Sequence, residues 1–381
     1  MKFNYKNNSL IAKLCDLDFR LLLVISLVSF IGLLLMYSAA QGSLHPWAIK
    51  QSIHFLFGVG LLIAIALTNI VFWYRFAYIF YGLSLGLVIL TEVMGHTAMG
   101  ATRWLNLGII KLQPSELMKI TLVLALSRYF HNLHINNIRK IAFVIPPVLL
   151  VLVPCALILK QPDLGTASIL LAIGGAIFFA AGVAMWKFGA VLLLALIAAP
   201  IAWNSMHDYQ KQRIIIFMNP GSDRLGSGYN IIQSKIAIGS GGLFGKGLLH
   251  GSQTQLSFLP EHQTDFIFAM VSEELGLLGG ITVLILYSFI ILYSYRISLN
   301  CQNFFGSLMS MGAITMFFLH VFINIAMVME LVPVVGVPLP LLSYGGTIMV
   351  TVMFGFGLIM CAKIHNTPFE KDKIIKFYLN N

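Results

Sequence analysis

Apolar residues run in long blocks along this chain. They fall at 21–40, 53–71, 76–94, 115–130, 141–159, 164–182, 188–205, 266–294, 305–329 and 344–362, with polar residues gathered in the gaps. A helix needs about 20 mostly apolar residues to cross the hydrocarbon core of a bilayer. Only helices and closed barrels satisfy their backbone there. The pattern predicts an all-α, polytopic membrane protein of about ten transmembrane helices, folded as a single membrane domain over 1–381. An even number of spans returns both termini to one side. Lys2, Lys6, Lys13 and Arg20 precede the first block, and Lys363, Lys371, Lys373 and Lys376 follow the last. Basic residues accumulate in cytoplasmic loops, so both termini are placed in the cytoplasm. The first block exceeds the roughly 7–15 apolar residues of a cleaved signal peptide, and it reads as a retained first helix.

Two gaps break the pattern. The segment at about 206–264 is the one long extracytoplasmic loop. It holds apolar stretches and many glycines rather than low-complexity sequence, and it is expected to fold back onto the membrane face. The other, LVPVVGVPLPLLSYGG at 331–346, is almost wholly apolar yet carries Pro333, Pro338 and Pro340. Proline removes a donor and stops a helix. Such backbone is tolerated at membrane depth only where protein or a wet cavity receives it. The segment is expected to line a cavity opening outward, although a plain hydrophobic interfacial loop fits the same residues. Gly82 and Gly86 form a GxxxG pair that reads as close helix packing.

Composition supports the membrane reading. Apolar residues make up 58% of the chain and charged residues 10%, against roughly 45–50% and about 25% in soluble domains. The net charge of +10 therefore points to loop asymmetry, not to nucleic acid. The four cysteines, Cys15, Cys155, Cys301 and Cys361, have no metal or disulfide spacing.

Charges at membrane helices are costly and mark candidate sites. Asp265 stands at the outer edge of the 266–294 block, within reach of water and headgroups. It suits a general base for a lipid-borne substrate. Capping of that helix by Thr264 or Asp265 explains the position equally well. Glu273 and Glu274 lie two turns deeper and are assigned to structural pairing, as is Glu330. Glu116 and Lys119 share a face at i, i+3. They form either a structural ion pair or, with Arg103 and Lys111, a diphosphate clamp. Asp163 stands at another outer helix start, where capping fits as well as substrate binding, and Lys246 adds charge on that side. His320 reads as a packed hydrogen-bonding residue. The glycine run at 239–251 fails the phosphate-loop pattern, with Ser240 and Gly247 at its fixed positions.

Several stretches occur together in one family's order: Gly100-Ala101-Thr102-Arg103-Trp104-Leu105 with Gln113-Pro114-Ser115-Glu116; Gln161-Pro162-Asp163-Leu164-Gly165-Thr166; Gln253 to Glu274; and Pro338 to Gly346. On these the chain resembles the SEDS family (shape, elongation, division and sporulation). Gln253-Thr254-Gln255-Leu256 brings it nearer the rod-shape elongation branch than the division branch. The resemblance implies a peptidoglycan glycosyltransferase of the bacterial inner membrane that polymerises lipid II into glycan strands, releasing undecaprenyl diphosphate. It implies Asp265 as the catalytic carboxylate and matches Glu116 and Lys119 to the family's pair. It implies a class B penicillin-binding protein as partner, beside other elongation-complex membrane proteins. No cofactor is firmly implied, and a divalent cation is left open. A lipid-precursor flippase or transporter, a division-type polymerase and a scaffold are the alternatives.

Overall fold

The computed structural model describes residues 10–367, apart from 95, 99–100, 107–110, 139, 207, 224–225, 257 and 260. Lys2, Lys6, Gly100, Pro260, Lys371, Lys373 and Lys376, used in the sequence reading, lie outside the described residues, as do the side chains of Arg103 and Lys111. Helices dominate: α1 (Phe19–Ala39), α2 (Ala48–Leu67), α3 (Ile70–Met94), α4 (Pro114–Asn132), α5 (Ile145–Lys160), α6 (Leu164–Ala180), α7 (Met185–Ser205), α8 (Asp208–Met218), α9 (Ser227–Ser240), α10 (Ile267–Leu299), α11 (Phe304–Val328) and α12 (Gly346–Ile364).

Each apolar block carries a helix. Among the described residues, seven are long and apolar enough to cross a membrane: α1, α2, α3, the 141–160 segment ending in α5, α10, α11 and α12. The protein is a multi-pass membrane protein. α6 and the Met185–Ala198 part of α7 are apolar but shorter. α4 is more polar, carrying Glu116 and Lys119 in its first two turns. Large apolar side chains point outward along the spans, as on α7 from Val191 to Leu194. That surface suits lipid and would be a liability in water.

The start of α1 and the end of α12 meet on one face. The Lys363 ammonium reaches Asp18 Oδ2 at 2.5 Å, and the Tyr293 hydroxyl donates to the same oxygen at 2.8 Å. These contacts tie the start of α1 to the ends of α10 and α12. The start of α10, with Asp265, therefore lies at the opposite face.

Four findings depart from the sequence reading. A short antiparallel sheet, β1 (His96–Ala98), β2 (Ala101–Asn106) and β3 (Lys111–Leu112), connects α3 to α4. The long loop is built around two helices, α8 and α9. Gly82 and Gly86 have open space where a Cβ would stand, so within this chain they are not a packing seam.

The largest departure lies in α10. A straight helix of 33 residues would be about 50 Å long, against a hydrocarbon core of about 30 Å. α10 instead breaks at Gly276, whose φ of 70° and ψ of −165° are not helical. Ile267 to Glu274 are all buried, and the outward-facing apolar residues begin at Leu277. A break strands backbone groups that must find partners away from water. The glycine run supplies them. Lys246 and Gly247 N–H donate to Glu273 O and Glu274 O, both at 3.0 Å. Leu277 N–H donates to Gly242 O at 2.9 Å and Leu278 N–H to Leu243 O at 3.2 Å. Gly245 sits at φ +80° against Glu274 and Gly276, with no room for a Cβ. The glycines that imitate a phosphate loop are thus a backbone splint for a broken helix.

Candidate active site

The site is built where the start of α10 meets the proline-rich segment. That segment is threaded through the protein, and side chains take up its backbone groups. Tyr287 hydroxyl donates to Pro340 O at 2.5 Å, and Gln51 Nε2 donates to Ser343 O at 2.9 Å. Ser343 Oγ accepts from Leu339 N–H at 2.8 Å and donates to Thr264 O at 2.5 Å. Tyr344 N–H donates to Gln263 O at 2.9 Å. Two strands of irregular backbone, 261–266 and 335–345, are thereby locked side by side.

Asn324 of α11 makes the central clamp. Its Nδ2 donates to Asp265 O and Val337 O, both at 2.7 Å, and the side chain is fully buried. Asn324→Leu leaves both carbonyls unpaired in a dry place. It is expected to cost about 1–3 kcal/mol, read as a lower melting temperature of the purified protein.

Asp265 itself is only partly buried. The capping explanation does not hold. The residue flanking α10 is Phe266, which makes no side-chain cap, and among the described residues neither Thr264 nor Asp265 caps the helix through its side chain. Thr264 Oγ1 turns back to Glu261, donating to its Oε2 at 2.9 Å. Among the described residues the Asp265 carboxylate accepts no hydrogen bond. Its Oδ2 lies 3.4 Å from where a Cβ on Gly336 would stand, and Gly336 holds φ at +76°. Burial pushes the Asp265 carboxyl up to about 6, the neighbouring Glu261 pushes the same way, and Arg213 opposes them. A carboxylate that is unpaired, reachable and poised near neutral pH has the properties of a general base.

The other sequence candidates divide. Asp163 caps α6, accepting from Thr166 N–H at 3.1 Å and Thr166 Oγ1 at 2.9 Å. The next turn brings it close to the site, because Gly165 abuts Val335 with no room for a Cβ. Lys119 is enclosed, with 1% exposure. Its ammonium donates to Glu116 Oε1 and His320 Nε2, both at 2.7 Å. His320 Nδ1 in turn donates to Met316 O at 2.7 Å. Through His320 its cation meets α11 one turn below Asn324. Lys246 is also committed, at 2.8 Å from both Glu273 Oε1 and Ser252 Oγ. Glu273 further accepts from Gln253 N–H at 3.0 Å, and Glu274 accepts from Ser38 Oγ at 2.6 Å. Glu330 pairs with Lys235. Arg103 lies on β2, between α3 and α4.

Sequence reasoning misses Arg213 as a neighbour of Asp265. Along the chain it is only one more outer cation, and the pairing depends on how α8 folds back. Among the described residues no group of three or more His, Cys, Asp or Glu side chains could hold a metal ion.

Comparison with known proteins accords with this geometry. The family model of the FtsW, RodA and SpoVE cell cycle proteins matches residues 14–368. The chain is 45% identical over 296 residues to the peptidoglycan glycosyltransferase MrdB of Escherichia coli K12, covering 75% of this chain and 77% of that protein. It is 32% identical to the peptidoglycan glycosyltransferase RodA of Treponema pallidum, covering 91% and 97%. Among solved structures, a chain from a study of polymerization and crosslinking by a peptidoglycan synthase complex superposes with a TM-score of 0.79 at 30% identity, covering 91% and 97%. The rod shape determining protein RodA of Thermus thermophilus superposes with a TM-score of 0.69 at 26% identity, covering 92% and 97%.

Proposed function

The chain belongs to the FtsW, RodA and SpoVE family, and from that premise we propose how it works as a peptidoglycan glycosyltransferase, with Asp265 as the general base. The substrate is lipid II, presented at the outer face of the bacterial inner membrane during cell elongation, with about ten spans and cytoplasmic termini. Asp265 takes the proton from the sugar 4-hydroxyl of the acceptor lipid II. That oxygen attacks the anomeric carbon of the growing strand from the face opposite its diphosphate. The configuration inverts and undecaprenyl diphosphate leaves. A positioned base contributes on the order of 10²–10⁴ in rate. Two substrates held in one membrane plane supply orientation. Arg103, on the connection between α3 and α4, offsets charge on the leaving diphosphate. The partner is a class B penicillin-binding protein that cross-links the new strand.

One observation carries this reading. The Asp265 carboxylate is left without a hydrogen bond among the described residues, while the backbone on both sides of it is pinned by Asn324 and Ser343. A structural carboxylate at a helix start would be spent on the helix, as Asp163 is.

The flippase reading draws on the broken α10 and the buried Glu273 and Glu274, features that transporters share. One assay separates the two. Purified protein with its partner is given lipid II in sealed vesicles. Glycan strands and released undecaprenyl diphosphate are expected. Translocated lipid II without polymer would favour the flippase.

A further inference from the structure

We propose that Arg213 is a positioning residue of the transfer reaction, a fixed cation that acts through Asp265 and the Val335–Gly336 peptide without touching the reacting atoms. This rests on the reading of Asp265 as the base.

The geometry places the two groups about one peptide unit. Arg213 Nη1 donates to Val335 O at 3.3 Å. Asp265 Oδ2 lies 3.4 Å from the Cβ position of Gly336, the other half of that peptide. The guanidinium comes from α8, so the long loop is fastened to the site through this residue. Arginine suits the task. It stays charged, and its planar fork can hold a carbonyl with one nitrogen while directing charge elsewhere.

The surrounding charges show why a cation is needed there. Glu261 lies one turn before Asp265 and opposes its ionisation. Asp163 caps α6, whose Gly165 abuts Val335. Lys119 is held by Glu116, with His320 as its second partner, and Lys235 is held by Glu330. Arg213 is the group that offsets Glu261 and keeps Asp265 ionised at working pH. It also holds the Gly336 turn against the carboxylate.

The test is the pH dependence of lipid II polymerisation by the purified protein with its partner. The parent, Arg213→Gln, Arg213→Lys and Asp265→Asn are compared, and melting temperatures check folding. For Arg213→Gln the acid limb is expected to move up by about one pH unit, with rate recovering toward alkaline pH. Arg213→Lys, whose point charge sits on a different reach, is expected to give a smaller shift in the same direction, and it decides the matter if Arg213→Gln does not fold. A limb unmoved in the folded variants, whether the rate falls equally at every pH or not at all, would overturn the proposal. A parent without an acid limb, or Asp265→Asn at the parent rate, would instead overturn the assignment of the base.

Discussion

Asp265→Asn is expected to lower the rate of lipid II polymerisation by about 10²–10⁴ while leaving the protein folded. Asparagine keeps the size of the side chain and removes its ability to accept a proton from a sugar hydroxyl. Nothing in the fold depends on the lost charge, because among the described residues the carboxylate makes no hydrogen bond and the turn is held through its backbone. Stability should move the other way from activity. Between the ordinary aspartate value of 3.8 and about 6, the folded chain holds a proton on Asp265 more tightly than the unfolded chain does. The folded state therefore loses stability as pH rises through that window, and at neutral pH it carries the full cost of the buried charge. The neutral asparagine escapes this cost. Its melting temperature at neutral pH is expected to equal or exceed the parent's, and a clear drop would mean that Asp265 has a structural partner.

Lys119→Met should have the largest effect on folding. The ammonium is 1% exposed and sits between Glu116 of its own helix and His320 of α11. Removing one member of a buried ion pair costs about 3–5 kcal/mol, because the other charge stays buried without compensation. Glu116 would be that charge. The double variant Glu116→Gln with Lys119→Met removes both charges and should recover part of the loss. Thermal or denaturant unfolding of the purified chain measures both. A single variant as stable as the parent would show that water reaches this pair in the membrane.

The parts of the site visible in the sequence are those whose signal is local. A carboxylate at the edge of an apolar block is conspicuous, which singles out Asp265 and Asp163. Pro333, Pro338 and Pro340 in an apolar run announce irregular backbone by residue type alone. What stays hidden depends on distant partners. His320 meets Lys119 across 201 residues, and Gln51 meets Ser343 across 292. No spacing rule connects them. The break in α10 is signalled only by Gly276, a residue that a helix interior tolerates at a cost of about 1 kcal/mol. The glycine run at 239–251 is separable from phosphate loops by its residues, but its task is legible only in the fold, where its N–H groups meet Glu273 O and Glu274 O. Arg213 belongs with these, a cation whose meaning comes from the return of α8 to the proline-rich segment.

The most direct measurement is the rate of lipid II polymerisation as a function of pH, taken on the parent and on Asp265→Asn side by side. The parent should lose activity about tenfold per pH unit on the acid side of about 6, and the residual activity of the variant should lack that limb. The same limb in both proteins, or a variant as fast as the parent, would contradict proton transfer to Asp265.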